Sequence, residues 1–225
     1  MARHAIRAVA QVVVRYPAGA ERVVECLLEL AELDVDYVRS ETVVVMRDLL
    51  RKYPSIAADV LPHLEACLKR VDEPDAKASV IWMFGEFGHL IENAPYLLEP
   101  LVDSVVSEPS VPVRLALLTA TMKLFFKRAP EVQGMLGRLF KVCLEDSSSA
   151  AVHDRALLYF RLLRRNVDDA CAVVGGVAEA KGITSFLEEL NNEVKERIYA
   201  EFNTLSCVYG ESSESFVDDD YKFKP

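Results

Sequence analysis

Val111–Pro130 has the sequence VPVRLALLTATMKLFFKRAP. It opens on a proline-marked turn and passes through Arg114. It then runs as an apolar helix, and the basic pair Lys127-Arg128 closes it ahead of Pro130. Leu115, Leu118, Met122 and Phe125 stand three or four apart and so share one helix face. Leu117, Ala120 and Leu124 widen that face beyond what a lone surface helix needs. Lys127 and Arg128 fall in the last turn, where cations meet the carbonyl end of the helix dipole. Pro130 disfavours helical geometry at the residue before it. In isolation such a stretch would suit a helix in a globular bundle.

The pattern recurs up and down the chain. Residues 36–54 are DYVRSETVVVMRDLLRKYP, 72–88 are DEPDAKASVIWMFGEFG and 151–166 are AVHDRALLYFRLLRRN. The basic residue near each helix start falls at Arg39, Lys77, Arg114 and Arg155, at spacings of 38, 37 and 41. A period near forty built only of helices predicts an all-α fold, a right-handed α-solenoid of HEAT/armadillo-like helical hairpins. In such a stack the four basic residues should form a ladder bonded to acidic or backbone groups next door, or else an exposed row for a partner.

Outward from the central stretch, helices are predicted over 2–15, 20–33, 37–52, 56–70, 75–91, 96–107, 131–145 and 151–165. A shorter helix follows from Asn166 to Val173, and two more lie near 183–190 and 193–209. Their expected core residues include Ile6, Val9, Val13 and Tyr16, then Val23, Leu27 and Leu30, then Val43, Met46, Leu50 and Tyr53. Arg39, Arg47, Asp48 and Arg51 make the expected polar side of the third helix. Pro62 places a possible restart near Leu61. Gly85 and Gly88 cost helix propensity and are best explained by close helix packing. The first helix looks like the second arm of a hairpin, which predicts an exposed apolar flank there. The domain reading is a solenoid over 1–209 and an acidic flexible tail over 210–225.

Composition restricts the function classes. The 225 residues are 51% apolar, too rich for a disordered chain. A net charge of −9 argues against a general nucleic-acid binder. Cys26, Cys67, Cys143, Cys171 and Cys207 are widely spaced and odd in number, so buried free thiols in a reducing compartment are expected. Arg3, Arg7 and Arg15 interrupt the N-terminal stretch too often for a secretory signal, and no apolar run approaches a membrane span.

No catalytic, cofactor-binding or metal-binding residue is predicted. His4, His63, His89 and His153 lack partners at metal-ligand spacing. Gly175-Gly176 follows a helix and not a strand, so it is no phosphate cradle. Ser147-Ser148-Ser149 lacks a nucleophile elbow, and the Asp218-Asp219-Asp220 triplet lacks a designed cation loop. The pairs Arg51-Lys52, Lys127-Arg128 and Arg164-Arg165 are either solvated helix ends or one clustered edge facing a partner or anionic lipid.

The stretches DYVRSETVVVMRDLLRKYP (36–54), EPDAKASVIWMFGEFG (73–88), VRLALLTATMKLFFKRAPEVQ (113–133), VHDRALLYFRLL (152–163) and EVKERIYAEFNTLSCVY (193–209) together carry a family resemblance. The chain resembles the C-terminal part of the trunk of a beta large chain from heterotetrameric vesicle adaptor complexes, the adaptin family. FFKRAPE and Ala94-Pro95-Tyr96 look most like the beta chain of adaptor complex four, with complexes one and two as near relatives. The resemblance implies a non-enzymatic scaffold, without cofactors, in a heterotetramer with a medium (mu) chain, a second large chain and a small chain. It also implies peripheral, indirect membrane association and cargo sorting on the cytoplasmic face of trans-Golgi network or endosomal membranes, in complex four without clathrin. Set against the family, the chain begins in mid-trunk and ends without a long hinge or appendage. The competing reading is an unrelated HEAT-repeat scaffold, such as a nuclear transport or regulatory subunit.

Overall fold

The computed structural model describes residues 1–15, 19–146, 148–175, 193, 196, 199 and 200. The chain divides into two compact units, Met1–Phe186 and Leu187–Pro225. In the second, the described positions Glu193, Glu196, Tyr199 and Ala200 are helical. The rest of the expected 183–190 and 193–209 helices, and the whole 210–225 segment, lie outside the described residues.

The first unit is built of α1 (Ala2–Arg15), α2 (Ala20–Glu32), α3 (Asp36–Lys52), α4 (Ala57–Val60), α5 (Leu64–Arg70), α6 (Pro74–Phe87), α7 (Ala94–Asp103), α8 (Val111–Lys127), α9 (Ala129–Glu145), α10 (Ala150–Arg165) and α11 (Val167–Gly175). No strand occurs among the described residues. Helices α1, α3, α6, α8 and α10 pack side by side in one row. Helices α2, α5, α7 and α9 alternate with them in sequence, each packing on the row helix that follows it, and α7 also packs on α9. This is the all-α solenoid of helical hairpins expected from the period near forty.

Prolines set the hairpin boundaries. Pro74, Pro95, Pro112 and Pro130 each lie in the first turn of a helix, where the missing N–H costs nothing. Pro130 therefore starts α9 as much as it ends α8, and Arg128 alone separates the two. Three predicted helices break up. The 56–70 segment is divided by 3₁₀ turns at Pro54–Ile56 and Leu61–His63, the second centred on Pro62. The 75–91 helix stops at Phe87 and gives way to a 3₁₀ turn at Gly88–Leu90. The 96–107 helix starts earlier, at Ala94, and ends at Asp103, with a 3₁₀ turn over Val105–Ser107.

Burial corrects the predicted faces in a consistent direction. In α8 the buried residues are Val113, Arg114, Leu117, Leu118, Ala120, Thr121, Met122 and Leu124, whereas Leu115 and Phe125 are only half-buried. Helix α8 contacts α6, α7, α9 and α10, so its shielded arc runs most of the way round. In α1 the buried positions are Ile6, Ala10 and Val13; Val9, expected in the core, is exposed, and with Val12 it forms an apolar flank at this end. In α2 they are Ala20, Val24, Leu27 and Ala31, with Val23 and Leu30 only half-buried. Alanines are among the buried positions of both helices. A pattern weighted by hydrophobic bulk therefore rotates the face by about one residue. Helix α3 departs furthest: its expected polar residues Arg39 and Asp48 are buried, along with Ser40, Glu41 and Thr42.

Candidate functional site

The polar groups that organise the solenoid are the basic residues at the starts of the row helices. Arg39, Lys77 and Arg114 are each the fourth residue of their helix, α3, α6 and α8. Each reaches the chain just ahead of the next row helix. Arg39 Nη1 donates to the Arg70 carbonyl at 3.3 Å. Lys77 Nζ donates to Glu108 Oε2, and Arg114 Nη2 to Asp146 Oδ2. The partners lie 31, 31 and 32 residues ahead. The ladder expected from the sequence is thus present in these three rungs, and its side chains are spent on neighbouring hairpins.

Arg39 is 2% exposed and makes the densest rung. Its Nη2 donates to the Leu33 carbonyl at 2.7 Å, its Nε to Ala31 at 3.3 Å and its Nη1 to Asp36 Oδ1 at 2.9 Å. The planar guanidinium caps the end of α2 and touches the end of α5 at once, a job its fork of donors suits. At the next rung, burial pushes the Glu108 carboxyl up. Lys77, the Ser110 N–H and Arg114 outweigh it and hold the group below its usual range. At the third, the Ser148 side chain and N–H, followed by Arg114, hold Asp146 down at about 2.

Arg155 does not belong to the ladder. It is the sixth residue of α10, and the fourth is His153. The 41-residue spacing, longer than the other two, was the sign of this slip. Arg155 instead lies 5.8 Å from the Tyr159 ring and donates to its hydroxyl at 3.3 Å. His153 Nδ1 lies 3.2 Å from Asp154 Oδ1, a contact within its own helix.

The paired basic residues also turn toward neighbours. Lys127 Nζ donates to the Glu86 carbonyl at 2.8 Å and approaches His89 Nδ1 at 3.0 Å. Burial, then the nearby Lys127 charge, lowers the His89 pKa. Arg128 Nη1 donates to the carbonyls of Ile91 and Glu92, both at 2.9 Å. These contacts cap the end of the α6 segment from the following hairpin. Arg51 lies over the Trp82 ring, and Arg164 over Phe160. At least one residue of each pair thus makes a packing contact, Arg164 within its own helix, while Arg51, Lys52, Lys127, Arg164 and Arg165 remain exposed. Sequence reasoning missed a second set of links, Lys123 to Glu86 and Arg138 to Glu99 at 2.6 Å. Their separations of 37 and 39 residues repeat the hairpin period and could have revealed them.

Cys67 and Cys143 are buried free thiols whose pKa values burial raises, whereas Cys26 and Cys171 are exposed; Cys207 lies outside the described residues. Gly175 ends α11, while Gly176 and the Asp218-Asp219-Asp220 triplet also lie outside them. Among the described residues no cluster of three or more His, Cys, Asp or Glu is placed to hold a metal ion, and no helix is long and apolar enough to cross a membrane.

A helical-hairpin solenoid, held in register by one basic rung per repeat, defines the class of protein. The Adaptin N terminal region family matches residues 1–166, and the chain belongs to that family. Beta-adaptin-like protein A of Arabidopsis thaliana is 41% identical over 224 residues, covering 99% of this chain and 26% of the relative. AP-1 complex subunit beta-1 of Rattus norvegicus is 35% identical over 216 residues, covering 96% and 22%. AP-4 complex subunit beta-1 of Mus musculus is 35% identical over 190 residues, covering 84% and 26%. The chain spans about a quarter of the length of the curated relatives it matches.

Proposed function

We propose that this chain is a non-enzymatic scaffold subunit of the beta type in a vesicle-coat adaptor complex, acting in protein transport and cargo sorting. The observation that carries the reading is the adaptin match over 1–166 on a solenoid whose polar groups are spent on register. A scaffold binds through surface presented by successive repeats and needs no reactive constellation. The expected partners are a medium chain, a second large chain and a small chain. Association with the cytoplasmic face of trans-Golgi network or endosomal membranes would be peripheral and pass through the complex. The equal 35% identities to complex-one and complex-four beta chains favour neither complex.

Affinity purification of the chain from its own organism, followed by peptide identification, tests this proposal. Medium, small and second large adaptor chains should copurify in near-equal amounts. Recovery of a transport GTPase or a phosphatase subunit in their place would instead support the unrelated HEAT-type scaffold.

A further inference from the structure

A groove of about 190 Å³ opens along the seam between α6 and α8, and residues of those two helices alone line it. Gly85 and Ala120 contribute where the two backbones approach most closely. Trp82 stands on the α6 side, and Leu115, Ala116, Thr119 and Lys123 on the α8 side. These four residues of α8 are only half-buried. A void near 150 Å³ holds a benzene molecule, so this one admits a single aromatic or branched aliphatic side chain.

The surroundings of the groove are cationic. The Arg51 guanidinium sits 4.7 Å from the Trp82 ring centroid. Thr119 Oγ1 lies 3.1 Å from the Tyr159 hydroxyl, which accepts from Arg155. Lys123 is paired with Glu86, and Arg51 lies 3.9 Å from Asp48. The groups tied to the groove by these contacts are thus Arg51, Lys123 and Arg155 against Asp48 and Glu86. The described contacts of Arg155 are with Tyr159 alone, so its charge meets no carboxylate among the described residues. A positive locality on a chain of net charge −9 selects for a partner of opposite sign. Three cations around an apolar slot are too few to track a phosphate backbone.

We propose that this groove docks an extended segment of a partner protein that inserts one aromatic or aliphatic side chain and carries carboxylates on both sides of it. The inserted side chain would stack on Trp82 over the Gly85–Ala120 floor. The flanking carboxylates would meet Arg51 and Lys123 at one side and Arg155 at the other. The inference rests on the groove itself and stands apart from the adaptor reading.

Trp82 is the only tryptophan of the chain, so its emission reports occupancy directly. The full chain is titrated at low salt with the peptide acetyl-Glu-Glu-Gly-Phe-Gly-Glu-Glu-amide. A saturable change in Trp82 emission is expected, with a Kd below about 1 mM. Replacing the peptide Phe by Ala, or its glutamates by lysines, should abolish the change. Ala116→Phe fills the slot and should abolish binding, with folding checked by circular dichroism. Arg155→Glu alters an exposed residue outside the core and should weaken binding about tenfold, an effect that salt erases. No saturable change up to about 1 mM, equal binding of the lysine peptide, or unchanged binding by Arg155→Glu would each overturn the proposal.

Discussion

A Cβ built on Gly85 would lie 2.6 Å from the Ala120 Cα and 2.8 Å from its Cβ. The α6–α8 seam is therefore closed backbone to backbone, and the obstructing atom belongs to main chain that cannot rotate away. Gly85→Ala should destabilise the protein by about 1–3 kcal/mol through overpacking, against a helix-propensity gain of about 1 kcal/mol. Gly134 and Gly137 in α9 have open space around the same position. Alanine at either should stabilise by about 0.5–1 kcal/mol. Denaturant midpoints of the three variants should move in opposite directions, down for Gly85 and up for the α9 pair.

Leu118 is fully buried in α8, within the core between the hairpins. Leu118→Ala should cost about 2–5 kcal/mol in a urea melt. A neutral result would mean that this side of α8 faces solvent.

Removing the densest rung leaves three carbonyls without their charged donor. Arg39→Ala should cost about 1–3 kcal/mol, the penalty of leaving buried acceptors without a donor. Arg39→Lys should recover only a minor part, because one ammonium cannot span the Leu33, Ala31 and Arg70 oxygens together. Thermal unfolding of the two variants side by side measures both.

Acid should act on the Asp146 rung. Its carboxyl is held at about 2, below the ordinary 3.8. A depressed folded-state pKa means the stabilisation is complete above the unfolded value and disappears as pH falls from near 3.8 through about 2. The stability gap between the native protein and Asp146→Asn should therefore be constant above pH 5 and close toward pH 2. A gap that persists unchanged into acid would assign the loss to packing and not to the charge.

The hairpin architecture was legible because the repeat writes the same signals at a fixed interval: a turn with proline, a basic residue at the fourth position and an apolar run. Gly85 was also legible as a close-packing site, since a glycine inside an apolar helix has few other uses. The buried faces of α1 and α2 were not, because Ala10 and Ala31 carry little hydrophobic weight yet are buried. The burial of Asp48 was not legible either: Arg47 stands beside it in sequence, but that the pair meets at 2.8 Å with Asp48 shielded depends on the neighbouring hairpins. The Trp82 groove was invisible for a different reason. It is bounded by residues from two helices thirty-odd positions apart, and its width depends on how closely their backbones approach.

The central claim is that this solenoid is an adaptor-complex scaffold, and coexpression with the medium chain of its own organism tests it most directly. Size-exclusion chromatography followed by calorimetry should show one stoichiometric complex, and no single exposed substitution such as Arg51→Ala should abolish it, because a solenoid spreads its contacts over several repeats. A folded chain that elutes apart from the medium chain and gives no heat of binding at tens of micromolar would contradict the account.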